Sequence, residues 1–147
     1  NQVAWNPEKG EYLFETLYRK GNLKKVFAPQ EELDAYSSLS LEGCHFFPMS
    51  QLQANLEGID ALIIELQEVG VRYSPIIKVI GDLFSFICKN NLEISVYILD
   101  RENPTGRCVE GTLGSLGIPH RHGLTLGEIA NMFHSEMGAK FPLHILS

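Results

Sequence analysis

The residues best suited to chemistry follow a β-branched and aromatic run that ends at Leu99. The next stretch, a polar loop of about 25 residues, is longer than an ordinary connector between two elements. It carries side chains that bind ligands or transfer protons, namely Asp100, Arg101, Asn103, Arg107, Glu110, His120, Arg121 and His122. In open α/β sheets, ligands bind at the loops that leave the carboxyl ends of the strands. The sequence therefore predicts a site for a polar ligand beyond this strand.

Strands and helices alternate along the chain, and this order positions the loop. Apolar runs predict strands over 23–28, 61–66, 92–99 and 143–146, and helical spacing predicts helices over 8–20, 50–56, 75–91 and after a capping box at Thr125 and Glu128. Residues 30–50 carry no clear period and are predicted to be irregular, with a weak apolar piece at Cys44–Phe47. Alternation of this kind indicates βαβ units. We predict a single α/β domain over residues 1–147, with a three-layer Rossmann-like fold and a mainly parallel sheet.

Charge and motif content exclude several classes of protein. A net charge of −6 argues against binding to a nucleic-acid backbone, which needs a basic surface. No apolar run reaches the roughly 18 residues of a membrane-spanning helix, so no membrane span is predicted. No G-x-G-x-x-G follows a strand, which removes the dinucleotide fingerprint, and the histidines and cysteines lack zinc-ligand spacing. We expect neither a cofactor nor a metal ion.

The polar loop also carries a family resemblance. LDRENPTGR-VEG, from Leu99 to Gly111, and RHGLTLGE, from Arg121 to Glu128, resemble motifs of the NamZ-like exo-β-N-acetylmuramidases, formerly a domain of unknown function. Weaker matches precede them in the same order: Asn1-Gln2 resembles that family's TNQ, Val26–Pro29 its LFSP, and Gly58–Tyr73 its GIDVLVFDIQDVGxRFY. The resemblance covers essentially the whole chain.

The resemblance implies a fold, a substrate and a place of action. Family members are glycoside hydrolases that remove terminal N-acetylmuramic acid from peptidoglycan fragments, and they are typically exported. Their first subdomain is Rossmann-like, and their substrate cleft lies between two subdomains. We therefore expect this chain to be a fragment that lacks its first strand and a C-terminal subdomain, and we expect that missing subdomain to complete the cleft.

Glycoside hydrolysis normally uses two carboxyl groups on either side of the scissile bond. The resemblance implies that Glu110 is one of them; a solvated loop glutamate is the alternative. Gln30 stands where the family's PEHG motif has its other glutamate, and an amide has no titratable proton to exchange. Glu31 would replace it if the loop shifted by one residue. The alternative function is therefore a catalytically inactive relative that binds muramyl sugars or is structural.

Charged residues just past two strand ends are candidates for substrate binding. Glu68 and Arg72 follow one strand, and Asp100 and Arg101 follow the next. The planar fork of arginine suits a carboxylate such as the lactyl group of a muramyl sugar. The alternative for each pair is a mutual salt bridge that holds the turn.

Three further polar side chains complete the predicted sugar site. Asn103 is suited to sugar hydroxyls, although an Asn before a proline also makes turns. His122 matches the histidine of the family's RHG motif and either contacts the ligand or orders the loop. Gln30 retains hydrogen-bonding capacity and is expected to contact the substrate even without a catalytic role.

Overall fold

The computed structural model describes residues 5–6, 8–21, 23–36, 41–114 and 116–147. Asn1 and Gln2, which carry one of the family matches, lie outside these residues. The chain divides into two compact units, Asn1–Ile59 and Asp60–Ser147, and each is described by itself.

The elements follow one another in mixed α/β order. In the first unit they are β1 (Trp5–Asn6), β2 (Glu11–Tyr12), α1 (Leu13–Arg19), β3 (Lys25–Ala28), α2 (Gln30–Tyr36), β4 (His45–Pro48) and two short 3₁₀ turns, Met49–Gln51 and Gln53–Asn55. In the second unit they are β5 (Ala61–Ile64), α3 (Pro75–Asn90), β6 (Ser95–Leu99), β7 (Glu110–Leu113), β8 (Pro119–Arg121), α4 (Leu126–Glu136) and β9 (Leu143–Leu146).

The first unit is built on a parallel pair, β3 and β4, in register from Lys25 with His45 to Ala28 with Pro48. Aromatic rings supply much of its packing. The rings of Phe14, Tyr36 and Phe46 lie with centroids 5.1 to 6.2 Å apart, mostly edge to face, an arrangement that favours the ring quadrupoles.

The expectation that residues 30–50 are irregular is wrong. This stretch contains α2 and β4, each too short to display a hydrophobic period. The backbone N–H groups of Glu32 and Leu33 both donate to the Pro29 carbonyl, at 3.0 and 3.1 Å, and so begin α2 directly after the proline. The first predicted helix is also shorter than expected, because residues 11–12 pair with β1 and α1 starts only at Leu13.

The second unit has a three-stranded parallel sheet in the order β5-β6-β9. Helices α3 and α4, the two crossovers, pack against each other, and α4 also packs on β6 and β9. The apolar face of α3 and the inner residues of β6 form the core, with Ile77, Ile80, Leu83, Phe84, Ile87, Val96, Ile98 and Ile129 almost fully buried. Parallel pairing in both units confirms the predicted α/β fold with a mainly parallel sheet.

Several predicted element boundaries in the second unit are confirmed, but the predicted end of β5 is not. Proline opens α3 at Pro75, and Asn91 ends it in the left-handed conformation at φ 49°, where asparagine is well tolerated. Thr125 and Glu128 form the predicted capping box of α4. Strand β5 is shorter than the predicted 61–66 and leaves Ile63 exposed, so it is not buried on both faces.

The loop after β6 contains regular structure that the sequence did not indicate. Strands β7 and β8 form an antiparallel hairpin, in which Glu110 pairs with Arg121 and Leu113 with Pro119. Its residues are mostly exposed, so no buried apolar pattern marks them. No helix of the described ranges has both the length and the apolar character needed to cross a membrane.

Candidate functional site

Backbone bonds join the turn after β5 to the hairpin after β6. The Arg72 N–H donates to the His120 carbonyl at 3.0 Å, and the His122 N–H donates to the Gly70 carbonyl at 3.1 Å. Val71 and Arg121 form the antiparallel bridge between these two bonds. The loops from two neighbouring parallel strands therefore meet at one edge of the sheet, where binding sites of open α/β folds lie.

Glu110 begins β7 and presents its carboxylate to solvent. The Arg121 guanidinium donates from Nη1 to Glu110 Oε2 at 3.3 Å, and the Glu110 side chain is 66% exposed. Arg121 also donates from Nη2 to the Thr105 carbonyl, which fixes the guanidinium between two loop segments. Arg121 was not among the predicted catalytic or substrate-binding residues, although its place beside His122 in the RHG motif was the available signal.

Arg72 lies across the hairpin. Its Nη1 donates to the Thr112 carbonyl at 2.7 Å, and its Nη2 donates to the Tyr73 hydroxyl at 3.0 Å. The predicted alternative was an ion pair between Arg72 and Glu68, but the guanidinium instead contacts Thr112 and Tyr73. Arg72 therefore contacts β7, the strand that begins with Glu110, at a residue two positions after Glu110.

Glu68 and His122 lie inside the second unit. Both side chains are almost fully buried, and Glu68 Oε1 accepts the backbone N–H groups of Val69 and Gly70, each at 2.9 Å. His122 Nδ1 accepts the Leu124 N–H at 3.1 Å, and its Nε2 lies 3.4 Å from Glu68 Oε1. Of the two roles expected for His122, this geometry fits ordering of the loop.

Asn103 is also buried and holds the loop together. Its Nδ2 donates to the Leu124 carbonyl at 3.0 Å, while its Oδ1 accepts both the N–H and the hydroxyl of Thr105. The Asn103 side chain therefore stabilises its own turn and connects it to the segment after β8.

Asp100 and Arg101 have different partners from each other. The Asp100 carboxylate accepts the Thr125 hydroxyl at 2.7 Å and the Gly127 N–H at 2.8 Å, which attaches the end of β6 to the first turn of α4. Arg101 pairs with Glu65 in the segment after β5. The expected alternative of a mutual salt bridge is therefore wrong for this pair, and Asp100 serves the fold.

Gln30 and Glu31 belong to the other unit. They are the first two residues of α2, and both are exposed. Gln30 Nε2 donates to Asp34 Oδ1 one turn later at 3.5 Å, a long bond that leaves the amide accessible.

Comparison with known proteins decides the family. The family described as exo-beta-N-acetylmuramidase NamZ, N-terminal, matches residues 1–147. This chain belongs to the NamZ N-terminal family. The peptidoglycan beta-N-acetylmuramidase NamZ of Bacillus subtilis (strain 168) is 30% identical to it over 101 residues, which are 62% of this chain and 24% of that protein.

Two solved structures share the NamZ N-terminal fold seen here. Both are DUF1343 family proteins from Bacteroides fragilis NCTC 9343, each 24% identical with a TM-score of 0.80. The match covers 100% and 99% of this chain but only 43% and 44% of those chains. The chain thus spans about a quarter of the curated relative and under half of either structure.

Within the described part of this NamZ-family domain, no three His, Cys, Asp or Glu side chains are grouped so that they could hold a metal ion. At the hairpin edge, Glu110 is exposed and Arg72 is half-buried. Glu68, Asn103 and His122 are buried and fix the loops. Residue type alone could not separate these two sets, because burial decides which side chains a ligand reaches.

An ion pair at the start of α4 makes the stability of this region depend on pH. Arg107 donates to both carboxylate oxygens of Glu128, at 2.6 and 2.7 Å. This bond, with the one from the Thr125 N–H, lowers the pKa of Glu128. Because the folded-state pKa is lowered, the ion pair stabilises the fold above the ordinary glutamate value of about 4.3. That contribution is lost as the pH falls through the lowered pKa.

When the pH falls from 7 to 3, we therefore expect the free energy of unfolding to decrease less in the Glu128→Gln protein than in the unchanged protein. Glutamine keeps the capping box, so the change removes mainly the titrating charge. Urea unfolding at both pH values measures the difference, and Glu136→Gln, a change at the exposed end of the same helix, is the matched control. Equal pH dependence in the Glu128→Gln and Glu136→Gln proteins would contradict the prediction.

Proposed function

We propose that the protein carrying this domain is a glycoside hydrolase that removes terminal N-acetylmuramic acid from peptidoglycan fragments. Membership of the NamZ family over residues 1–147 is the observation that carries the proposal. The Bacillus subtilis relative, named a peptidoglycan beta-N-acetylmuramidase, supports the same substrate class. A substrate of this kind is met outside the cytoplasm, so we propose an exported protein.

The hairpin edge offers groups suited to this chemistry. Glu110 is an exposed carboxylate beside a fixed guanidinium, and it is our choice for one catalytic carboxyl group. Arg72 lies on the same hairpin and is suited to the lactyl carboxylate of the sugar. Glu31, or a carboxyl group from another part of the full-length chain, supplies the second group, and the remainder of that chain completes the cleft.

Gln30 favours a second candidate function. It stands at the position where the family's motif has a glutamate, and its exposed amide cannot exchange a proton during hydrolysis. In this alternative the protein binds muramyl sugars through Arg72 and its neighbours without cleaving them. Restoring the missing carboxyl group separates the two functions.

The second candidate predicts that Gln30→Glu in the full-length protein raises release of chromophore from a chromogenic N-acetylmuramide by about a hundred-fold, the lower range for one acid–base group. Gln53→Glu makes the same change of charge at an exposed 3₁₀ turn of the same unit and should leave release unchanged. Binding is followed in parallel by calorimetry with N-acetylmuramic acid.

The outcomes distinguish the candidates. Release by the unchanged protein supports the hydrolase, with Glu31 or another group in the second role. Binding without release, followed by release from Gln30→Glu, supports the inactive relative. A protein that neither binds nor cleaves the muramyl sugar would overturn both.

A further inference from the structure

Tyr73 presents an aromatic ring to solvent beside the hairpin. Tyr73 is 68% exposed, although large aromatic side chains are normally at least partly covered. It directly follows Arg72 in the turn whose backbone is joined to β8.

Two neighbours hold the exposed ring in place. The Arg72 guanidinium donates to the Tyr73 hydroxyl at 3.0 Å, and its central carbon lies 5.1 Å from the ring centroid. The His120 ring meets the Tyr73 ring nearly edge to face, with centroids 5.2 Å apart and planes at 78°. An aromatic ring that is already ordered loses little conformational entropy when a ligand packs on it, so more of the contact energy contributes to affinity.

We propose that Tyr73 is the stacking platform for a pyranose ring of the substrate, and that Arg72 binds a carboxylate carried by the same sugar. The proposal rests on the function proposed above and adds the subsite that selects an acidic amino sugar. The apolar C–H face of a pyranose suits an exposed aromatic face, as in other recognition by tyrosine.

The position of Arg72 gives this subsite its selectivity. A guanidinium has five N–H donors, and the bonds to the Thr112 carbonyl and the Tyr73 hydroxyl use two of them. The group is thus rigidly placed beside the ring while it keeps donors for a carboxylate. N-acetylmuramic acid has such a group in its lactyl ether, whereas N-acetylglucosamine has none, so the pair Tyr73 and Arg72 favours the muramyl sugar.

Calorimetry on the full-length protein tests the subsite, because free monosaccharides have no glycosidic bond that the protein could cleave during the measurement. The ligands are N-acetylmuramic acid and N-acetylglucosamine. We expect Tyr73→Ala to weaken binding of the muramyl sugar about ten-fold, the value of one ordered aromatic contact. Tyr73→Phe keeps the ring and should lose only about two- to three-fold, through the lost hydroxyl bond to Arg72.

Arg72→Gln should instead equalise the affinities for the two sugars, because it removes the charge and leaves the ring. Leu113→Ala is the matched control, since Leu113 is 70% exposed on the same hairpin but has no aromatic face. Its affinity should equal that of the unchanged protein.

Each result bears on the proposal separately from the enzyme activity. Sugar binding that is unchanged by Tyr73→Ala overturns the platform, even where the unchanged protein hydrolyses the glycoside. A lowered melting temperature of Tyr73→Ala with unchanged binding overturns it too, because another part of the chain then covers the ring. Binding that depends on Tyr73 in a protein without hydrolysis supports the platform and contradicts the hydrolase. Absence of any sugar binding overturns both.

Discussion

Replacing Glu110 by glutamine in the full-length protein should lower the turnover of a muramyl glycoside by at least about a thousand-fold. Glutamine has nearly the same shape and still accepts the hydrogen bond from Arg121, but it can neither carry a proton nor attack the anomeric carbon. Since the side chain is 66% exposed and its strand is fixed by the pairing with Arg121, the fold should be unaffected. The expected loss is therefore in kcat.

Steady-state kinetics with the chromogenic glycoside, together with a melting curve for each protein, measures this effect. Glu102→Gln is a suitable control, because Glu102 is an exposed glutamate of the same loop outside the hairpin. Retention of more than about a tenth of kcat in Glu110→Gln would remove Glu110 from the chemistry. It would then leave the carboxylate as a solvated partner of Arg121.

The second large effect should follow from Gly70→Ala. Gly70 has φ +82°, a conformation that costs an L-residue about 1–2 kcal/mol. A Cβ atom there would lie 2.6 and 2.7 Å from the amide atoms of Asn103 and would also strike the Thr105 hydroxyl. Both side chains are held by their own hydrogen bonds, so relief requires breaking those bonds. We expect a total loss of unfolding free energy of about 3 kcal/mol.

Gly106→Ala is the matched control for that change. Gly106 has a similar φ of +72°, but a Cβ atom there would meet nothing within 4 Å. It should therefore lose only the conformational part, about 1–2 kcal/mol. Urea unfolding of both variants separates the two contributions, and an equal loss in both would show that the loop around Asn103 adapts freely.

The long elements were predictable because burial left a clear pattern in them. Helix α3 has apolar residues at helical spacing, a proline at its first position and Asn91 at its end, and the structure has all three features. Thr125 and Glu128 are local to each other, so the capping box was equally readable. In such segments the local and the tertiary preferences agree.

The short and exposed elements were not predictable for physical reasons. Helix α2 has seven residues, too few for a repeated apolar face, and the β7–β8 hairpin is mostly exposed and so lacks an apolar alternation. The register of the hairpin pairs Glu110 with Arg121, which lies eleven residues later in the chain. Propensity within a short window carries little information on such a pair.

Within the candidate site, the sequence predicted the location better than the roles. Charged residues just past two strand ends were predicted to bind the same substrate, and the bonds between Gly70, Arg72 and the strand of His120 show that the two segments meet. The sequence did not indicate that His122 is buried while Glu110 is exposed. Such a division depends on side-chain directions set by the whole loop, for which one sequence contains no measure.

The bonds from Asp100 to Thr125 and Gly127 have an evolutionary consequence. They hold the two ends of the long loop between β6 and α4 close together, and the strand and the helix fix those ends. Lengthening a loop whose ends are already fixed adds only about 0.6 kcal/mol for each doubling. We expect natural variants to insert residues in the exposed parts of this loop, away from the buried Asn103 and His122, with little damage to the core, so that new sugar preferences arise while the fold is unchanged.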